Sequence, residues 1–283
     1  MKERVLILGG SSQLTPLLLA RLGADTEIVV TTTSEGRLQD RSNVTEVGYP
    51  REAPEELAEK LRGNWTAAIS LVPVSVLPRL LTALESASIG RLVALSTASV
   101  QTKVDSRSAA ERDFLQAVKT GENAFHGFIE KTGTPGVLLR PAMTYGGGDN
   151  NVDFIRRMAQ RFGFFPVVRN SGMRQPVHVA DVADAVMSAL KNSRATGNTY
   201  FLGGGERLTF EAMAKRILRA ELGHERVLPV PGPVLAFTLG TLARLPRLSF
   251  LDPEMAHRMR EDHVFDNEPA HRDLDFSPRG FLQ

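Results

Sequence analysis

Apolar positions along the chain follow two alternating rhythms. Short runs rich in branched and aliphatic residues, bounded by turn residues, read as buried strands over 5–8, 27–33, 43–48, 65–72, 91–97, 136–140 and 198–202. Between them apolar residues recur every three or four positions, as on a helix with one packed face, over 14–22, 54–61, 75–86, 105–132, 151–161, near 181 and over 209–222. Strands alternating with helices predict an α/β fold, a doubly wound parallel sheet. The longest helix has a packing face through Ala110, Phe114, Val118, Gly121, Phe125 and Phe128. A second line, Leu115, Lys119, Glu122 and His126, reads as a solvated face from spacing alone. After Pro229 the rhythm changes to short helices, six further prolines and no clear strands. The expected division is a core over 1–150, to which 174–203 returns, and a smaller C-terminal substrate portion or lid over 151–173 and 204–283.

The first strand runs into Gly9-Gly10, and an apolar helix follows that contains Pro16. Proline is tolerated where its N–H would have no helical partner, so the helix is expected to start near Ser11 or Ser12, with serine as cap. Strand, glycine turn and helix N-terminus together present backbone N–H groups to a pyrophosphate. The candidate cofactor contacts are Gly9, Gly10, Ser11, Ser12, Gln13 and Leu14. A plain strand–helix unit that binds nothing is the alternative. Where NAD-preferring sites carry an acid at the end of the second strand, this chain has Thr33 among threonines, with Glu35 near and Arg37 following. That leans toward NADP, with Arg37 on the 2′-phosphate; a solvated turn is the alternative.

Composition narrows the class. The chain has 283 residues, 42% hydrophobic and 23% charged, as in ordinary soluble globular proteins. A net charge of +2 gives no support to nucleic-acid binding. The basic residues are mostly arginine, the better bidentate partner for phosphate. There is no cysteine, so no disulfide or thiolate metal site is expected, in keeping with a cytoplasmic location. The first strand begins at once, without a signal-peptide pattern. The apolar run over 234–245 is too short for a transmembrane segment.

Several separated pieces carry a resemblance: LSTASV before the long helix, Lys119 within it, RPAMTYGGGD, MRQPVHVADVADAV, TYFLGGGERLT and FDNEPAHRDLDFSPRGF. Together they resemble the extended or atypical short-chain dehydrogenase/reductases, more narrowly the NAD-dependent epimerase/dehydratase group acting on nucleotide sugars, over almost the whole chain. The resemblance implies an NAD(P) cofactor and a nucleotide-sugar-like ligand. Thr97 falls on the Ser/Thr that hydrogen-bonds the reacting oxygen. Lys119 falls on the lysine of Y-x-x-x-K that holds the nicotinamide ribose, and Pro141 on the loop beside the nicotinamide. Arg174 falls on an arginine that reaches the substrate diphosphate, and Arg260 resembles a second. His178 and Asp181 read as structural, holding a strand and capping a helix.

Two departures stand out. The glycine fingerprint G-x-x-G-x-x-G appears as Gly9, Ser12 and Thr15. The acid/base tyrosine, four before Lys119, is Leu115, which cannot move a proton. Tyr145, His126 or a substrate-bound water would have to replace it. Two readings follow. One is an NAD(P)-dependent epimerase, dehydratase or reductase on a nucleotide sugar, with Thr97, Lys119 and Tyr145 as catalytic groups. The other is a non-catalytic NAD(P)-binding sensor or assembly protein of the same fold. A homodimer is a further partner expectation.

Overall fold

The computed structural model describes residues 3–33, 41–50, 53, 56–104, 106, 108–148, 152–246 and 251–282. Seven strands form its central sheet: β1 (Arg4–Leu8), β2 (Glu27–Thr32), β3 (Val44–Gly48), β4 (Ala67–Ser70), β5 (Leu92–Leu95), β6 (Gly136–Pro141) and β7 (Thr199–Leu202). All neighbours are parallel, in the order β7-β6-β5-β4-β1-β2-β3. The chain winds outward from β1 to β3, then crosses back to β4. The crevice beyond the ends of β1 and β4 is therefore the topological switch point, where open parallel sheets bind ligands.

The apolar strand runs are explained by burial on both faces. Ile7, Ile28, Ile69, Val93 and Leu139 point to one layer, with α1 (Thr15–Arg21) and α5 (Val179–Lys191). Leu6, Leu8, Ala68, Leu92 and Leu138 point to the other, with α2 (Leu77–Leu84) and α3 (Ala109–Thr132). α3 buries Val118, Gly121, Phe125 and Phe128, four of its expected packing residues, together with Leu115 and Glu122. A Cβ on Gly121 would stand 2.0 Å from the Val74 carbonyl oxygen, so this helix lies against the loop after β4 at glycine distance.

A smaller unit surrounds α4 (Val152–Phe162) and α6 (Phe210–Leu222), whose apolar faces meet around Phe165 and Met213. The parallel pair 165–168 and 227–230 borders it, followed by α7 (Gly232–Leu242) and α8 (Glu254–Arg258). The tail does not stay apart. Within α9 (Glu268–Leu274), Ala270 and Leu274 enter the core beside α5, followed by Phe276. Phe281 is fully buried in the smaller unit. The run expected as one strand over 65–72 is two: residues 63–65 pair with 87–89 on the flank, and only β4 joins the main sheet. No helix among the described residues is long and apolar enough to cross a membrane.

Candidate functional site

The ends of β1, β5 and β6 open into a cleft of about 1200 Å3. Ser11 and Gln13 line one end, Thr97, Ser99 and Pro141 the middle, and Lys103, Arg174, Arg258 and His263 the other end.

At the glycine corner Gly9 takes φ +108°, and both glycine N–H groups donate to the Thr31 carbonyl. A Cβ on Gly10 would stand 3.0 Å from Val30 Cγ1, so the turn is pressed against β2. The helix begins later than expected. Leu14 is the N-cap of α1 and offers no side-chain cap, and Pro16 lies in the first turn. Ser12 acts one step earlier, its Oγ accepting from Leu14 N at 3.3 Å. Thr15 folds inward and donates to the Gly9 carbonyl at 3.1 Å. The two fingerprint positions without glycine therefore turn their hydroxyls into the turn itself. Among the described residues the backbone N–H groups of Ser11 and Gln13 have no acceptor, and the buried Gln13 Oε1 has no partner. The two free N–H groups fit a pyrophosphate oxygen, and the Gln13 acceptor fits a ligand hydroxyl. Leu14 is buried in the core and contributes backbone at most. Thr33 is exposed, and Arg37 lies outside the described residues.

The middle of the cleft holds Thr97, whose Oγ1 donates to Ser99 Oγ at 3.0 Å and accepts from Ser99 N at 3.2 Å. Behind it Ser96 donates to Glu122 at 2.5 Å, and Arg140 grips the same buried carboxylate with Nε and Nη2 at 2.9 and 2.6 Å. This pair ties α3 to β6 under the cleft floor.

Lys119 is exposed and does not line the cleft. Helical spacing explains this: Val118, one residue earlier, is 2% exposed and faces the sheet, and a one-residue step turns the side chain by about 100°. The sheet-facing residues of this stretch are Leu115 and Val118, three apart, whereas Phe114 is exposed. Phe114 lies under Lys103 Nζ, 5.3 Å from the ring centroid. His126 packs edge-on to Phe125, outside the cleft.

Tyr145 does not line the cleft. It is 3% exposed; its hydroxyl donates to the Gly280 carbonyl at 3.1 Å and accepts from Leu282 N at 3.3 Å. Burial raises its pKa further. Arg174 lines the cleft but is spent on backbone. Nη1 donates to the carbonyls of Met173 and Glu261 at 2.8 and 2.6 Å, and Nη2 to that of Arg258 at 2.5 Å. It is 2% exposed, burial lowers its pKa to about 10, and only its Nε lacks a partner. A guanidinium so clamped has no fork left for a diphosphate. Arg260 is exposed on the outer surface and absent from the cleft wall. His178 accepts from Ala180 N at the start of α5, and Asp181 pairs with Arg279 at 2.7 Å; both are structural.

Arg157 also lines the cleft, but the cations gathered around one carboxylate are Lys103 and Arg258, neither found by sequence reasoning. Both pair with Glu111, which Ser106 also holds at 2.7 Å. Burial pushes the Glu111 carboxyl up, but these donors and charges win and hold it below its ordinary value. Beside them His263 is neutral: burial, then Arg174, Arg258 and Lys103, push its pKa down to about 3. The signal for Arg258 was its place in an H-R-M-R run, where a helical reading separates the two arginines onto different faces.

Residues 72–203 match the NAD dependent epimerase/dehydratase family. A mitochondrial NADH dehydrogenase [ubiquinone] 1 alpha subcomplex subunit 9 from Arabidopsis thaliana is 30% identical over 99 residues, 34% of this chain. The match spans only 25% of that relative's length. The UDP-N-acetylglucosamine 4-epimerase of Bacillus cereus superposes with TM-score 0.70 at 19% identity, covering 98% of this chain and 94% of its own. A dTDP-glucose 4,6-dehydratase from Streptomyces venezuelae, solved with NAD, gives 0.73 at 18% identity, covering 99% and 93%. The family match covers the middle of the chain, and the fold shared with these solved structures extends over nearly all of it.

Proposed function

We propose that this chain binds a nicotinamide dinucleotide in its cleft and does not transfer hydride by tyrosine–lysine chemistry, acting as a nucleotide-responsive sensor or assembly protein. The observation that carries this reading is the register of α3. The lysine of the motif stands in solvent, and Leu115 and Val118 hold the buried, sheet-facing positions, where neither a proton donor nor a ribose-binding cation is available. Gly9, Gly10, Ser11 and Gln13 would hold the pyrophosphate, with Pro141 beside the nicotinamide. Bound there, the cofactor supplies a redox-active ring that this chain leaves without an acid/base partner. The Arabidopsis relative, by name a subunit of a larger NADH dehydrogenase, supports an assembly role.

A second reading, turnover of a nucleotide-sugar-like ligand, is favoured by one observation: Thr97 and Lys103 share the cleft wall. Thr97 would polarise an oxygen, and Lys103, with Arg258, would meet an anionic group.

Calorimetric titration with NAD, NADH, NADP and NADPH tests the binding half. Absence of heat and of thermal shift with all four overturns it. A preference for the NADP pair that Arg37→Ala abolishes would place that arginine on the 2′-phosphate. Nicotinamide absorbance with UDP- and dTDP-sugars tests the chemistry. Silence in the wild type, with Lys119→Ala binding as well as wild type, is the expected result. Turnover lost in both Thr97→Ala and Lys103→Ala establishes the second reading instead.

A further inference from the structure

One helix of the smaller unit is apolar on its outer face. Along α7, Val234, Phe237, Thr238, Thr241 and Leu242 follow at the three- and four-residue spacing of a single stripe, continued by Leu245 in the next turn, and all are exposed. Phe237 is 77% exposed and Val234 54%. The opposite side is anchored by Leu235, which packs with Val168 and Ala256. Even the two hydroxyls are turned away from water: Thr238 donates to the Val234 carbonyl at 2.8 Å, and Thr241 to the Phe237 carbonyl at 2.9 Å. The stripe thus carries no charge and no unused O–H.

Positive charge brackets it. Arg244 is exposed at the C-terminal end. At the other end the backbone N–H of Arg169 donates to the Val230 carbonyl at 3.0 Å, just before α7 begins. The Arg260 side chain lies against Gly232, its Cδ 3.5 Å and Nη1 3.9 Å from where a Cβ would sit. Among the described residues none of these three arginines has a carboxylate within ion-pair distance. Cations at the positive end of a helix oppose its dipole, and an anion placed there relieves both.

We infer that α7 docks this protein on an anionic lipid bilayer, lying in the headgroup region with Val234, Phe237 and Leu242 facing the acyl chains and Arg169, Arg244 and Arg260 on lipid phosphates. An apolar helix face ringed by arginine is the pattern of interfacial helices. At about 16 Å the helix is far too short to span a hydrocarbon core. A second copy fits the face less well. A twofold contact would bring the same uncompensated arginines together, with no carboxylate on the stripe to receive them.

Flotation of the full chain with vesicles tests this, using phosphatidylcholine alone and phosphatidylcholine mixed with phosphatidylglycerol. Binding is expected only to the mixed vesicles and is expected to weaken with salt. Phe237→Asp should lower the partition coefficient by about tenfold or more. Each of Arg169→Gln, Arg244→Gln and Arg260→Gln should lower it by about fivefold. All four side chains are exposed, so melting midpoints should hold. Failure to float with mixed vesicles overturns the inference, as does Phe237→Asp floating like wild type. Self-association that Phe237→Asp abolishes, without vesicle binding, assigns the face to a second copy.

Discussion

Arg174→Ala separates a clamp from a ligand contact. The guanidinium is 2% exposed and holds three carbonyls, those of Met173, Arg258 and Glu261, from two stretches of chain more than eighty residues apart. Its charge also lies over the Phe210 ring, 5.2 Å from the centroid. Each orphaned buried carbonyl costs about 1–3 kcal/mol, and a bond from a charged donor is worth about 1.5–3 kcal/mol. Partial collapse and entering water recover some of this, leaving an expected loss of about 3–5 kcal/mol. For a chain of this size that lowers Tm by roughly 10 °C. Arg174→Lys should recover little, because a single ammonium cannot span both stretches. Urea unfolding measures the loss, and thermal shift with UDP measures the ligand effect. A wild-type unfolding midpoint together with UDP binding weakened by about 1.5–3 kcal/mol would refute the clamp and restore a diphosphate role.

The remaining predictions concern the cleft and its supports. His263 is neutral in the folded chain, with its pKa near 3, while the unfolded chain protonates near 6.5. The unfolded state therefore binds the extra proton between these values, so stability is full above about pH 6.5 and falls as pH drops, at up to about 1.4 kcal/mol per unit. His263→Gln should flatten the urea-midpoint profile between pH 6.5 and 4.5. His178, lowered by burial, then Arg279, and the lowered carboxyls of Glu111 and Glu206 contribute slope that remains; an unchanged profile would discount His263. Tyr145→Phe removes the hydroxyl that bridges Gly280 and Leu282 and should cost about 1–2 kcal/mol without changing nucleotide affinity; a selective loss of binding would contradict the structural assignment. Gly121→Ala forces a Cβ to within 2.0 Å of the Val74 oxygen and should destabilise by more than about 2 kcal/mol, whereas Gly127→Ala, which meets nothing within 4 Å, should be neutral or stabilising by circular-dichroism melting.

The sheet was legible because its strands are buried on both faces and so read as unbroken apolar runs. Periodicity also placed the α3 packing face on Val118, Gly121, Phe125 and Phe128, which left Lys119 off it. Matching the motif lysine by residue type sets that helical phase aside. For Arg260 the same limit applies: it lies in the turn just after α8, two residues past Arg258, and only the docking of α8 decides which one faces the cleft. Arg174 lies in the cleft wall, but its partners are carbonyls, which leave no trace in side-chain pattern. Tyr145 could not be assigned either, since its hydroxyl is claimed by backbone 135 residues later.

The closure of the cleft by residues far along the chain has a consequence for biosynthesis. Every strand of the sheet has been made by Leu202, yet Arg258 reaches Glu111 across 147 residues and Arg279 reaches Asp181 across 98. A nascent chain paused before Arg258 therefore holds a complete sheet whose crevice lacks one wall, with the apolar surfaces meant for Phe276 and Phe281 still bare. Such a species is where a holdase chaperone would act and where aggregation would begin. Release from it waits on contacts of high sequence separation, the slowest kind to form.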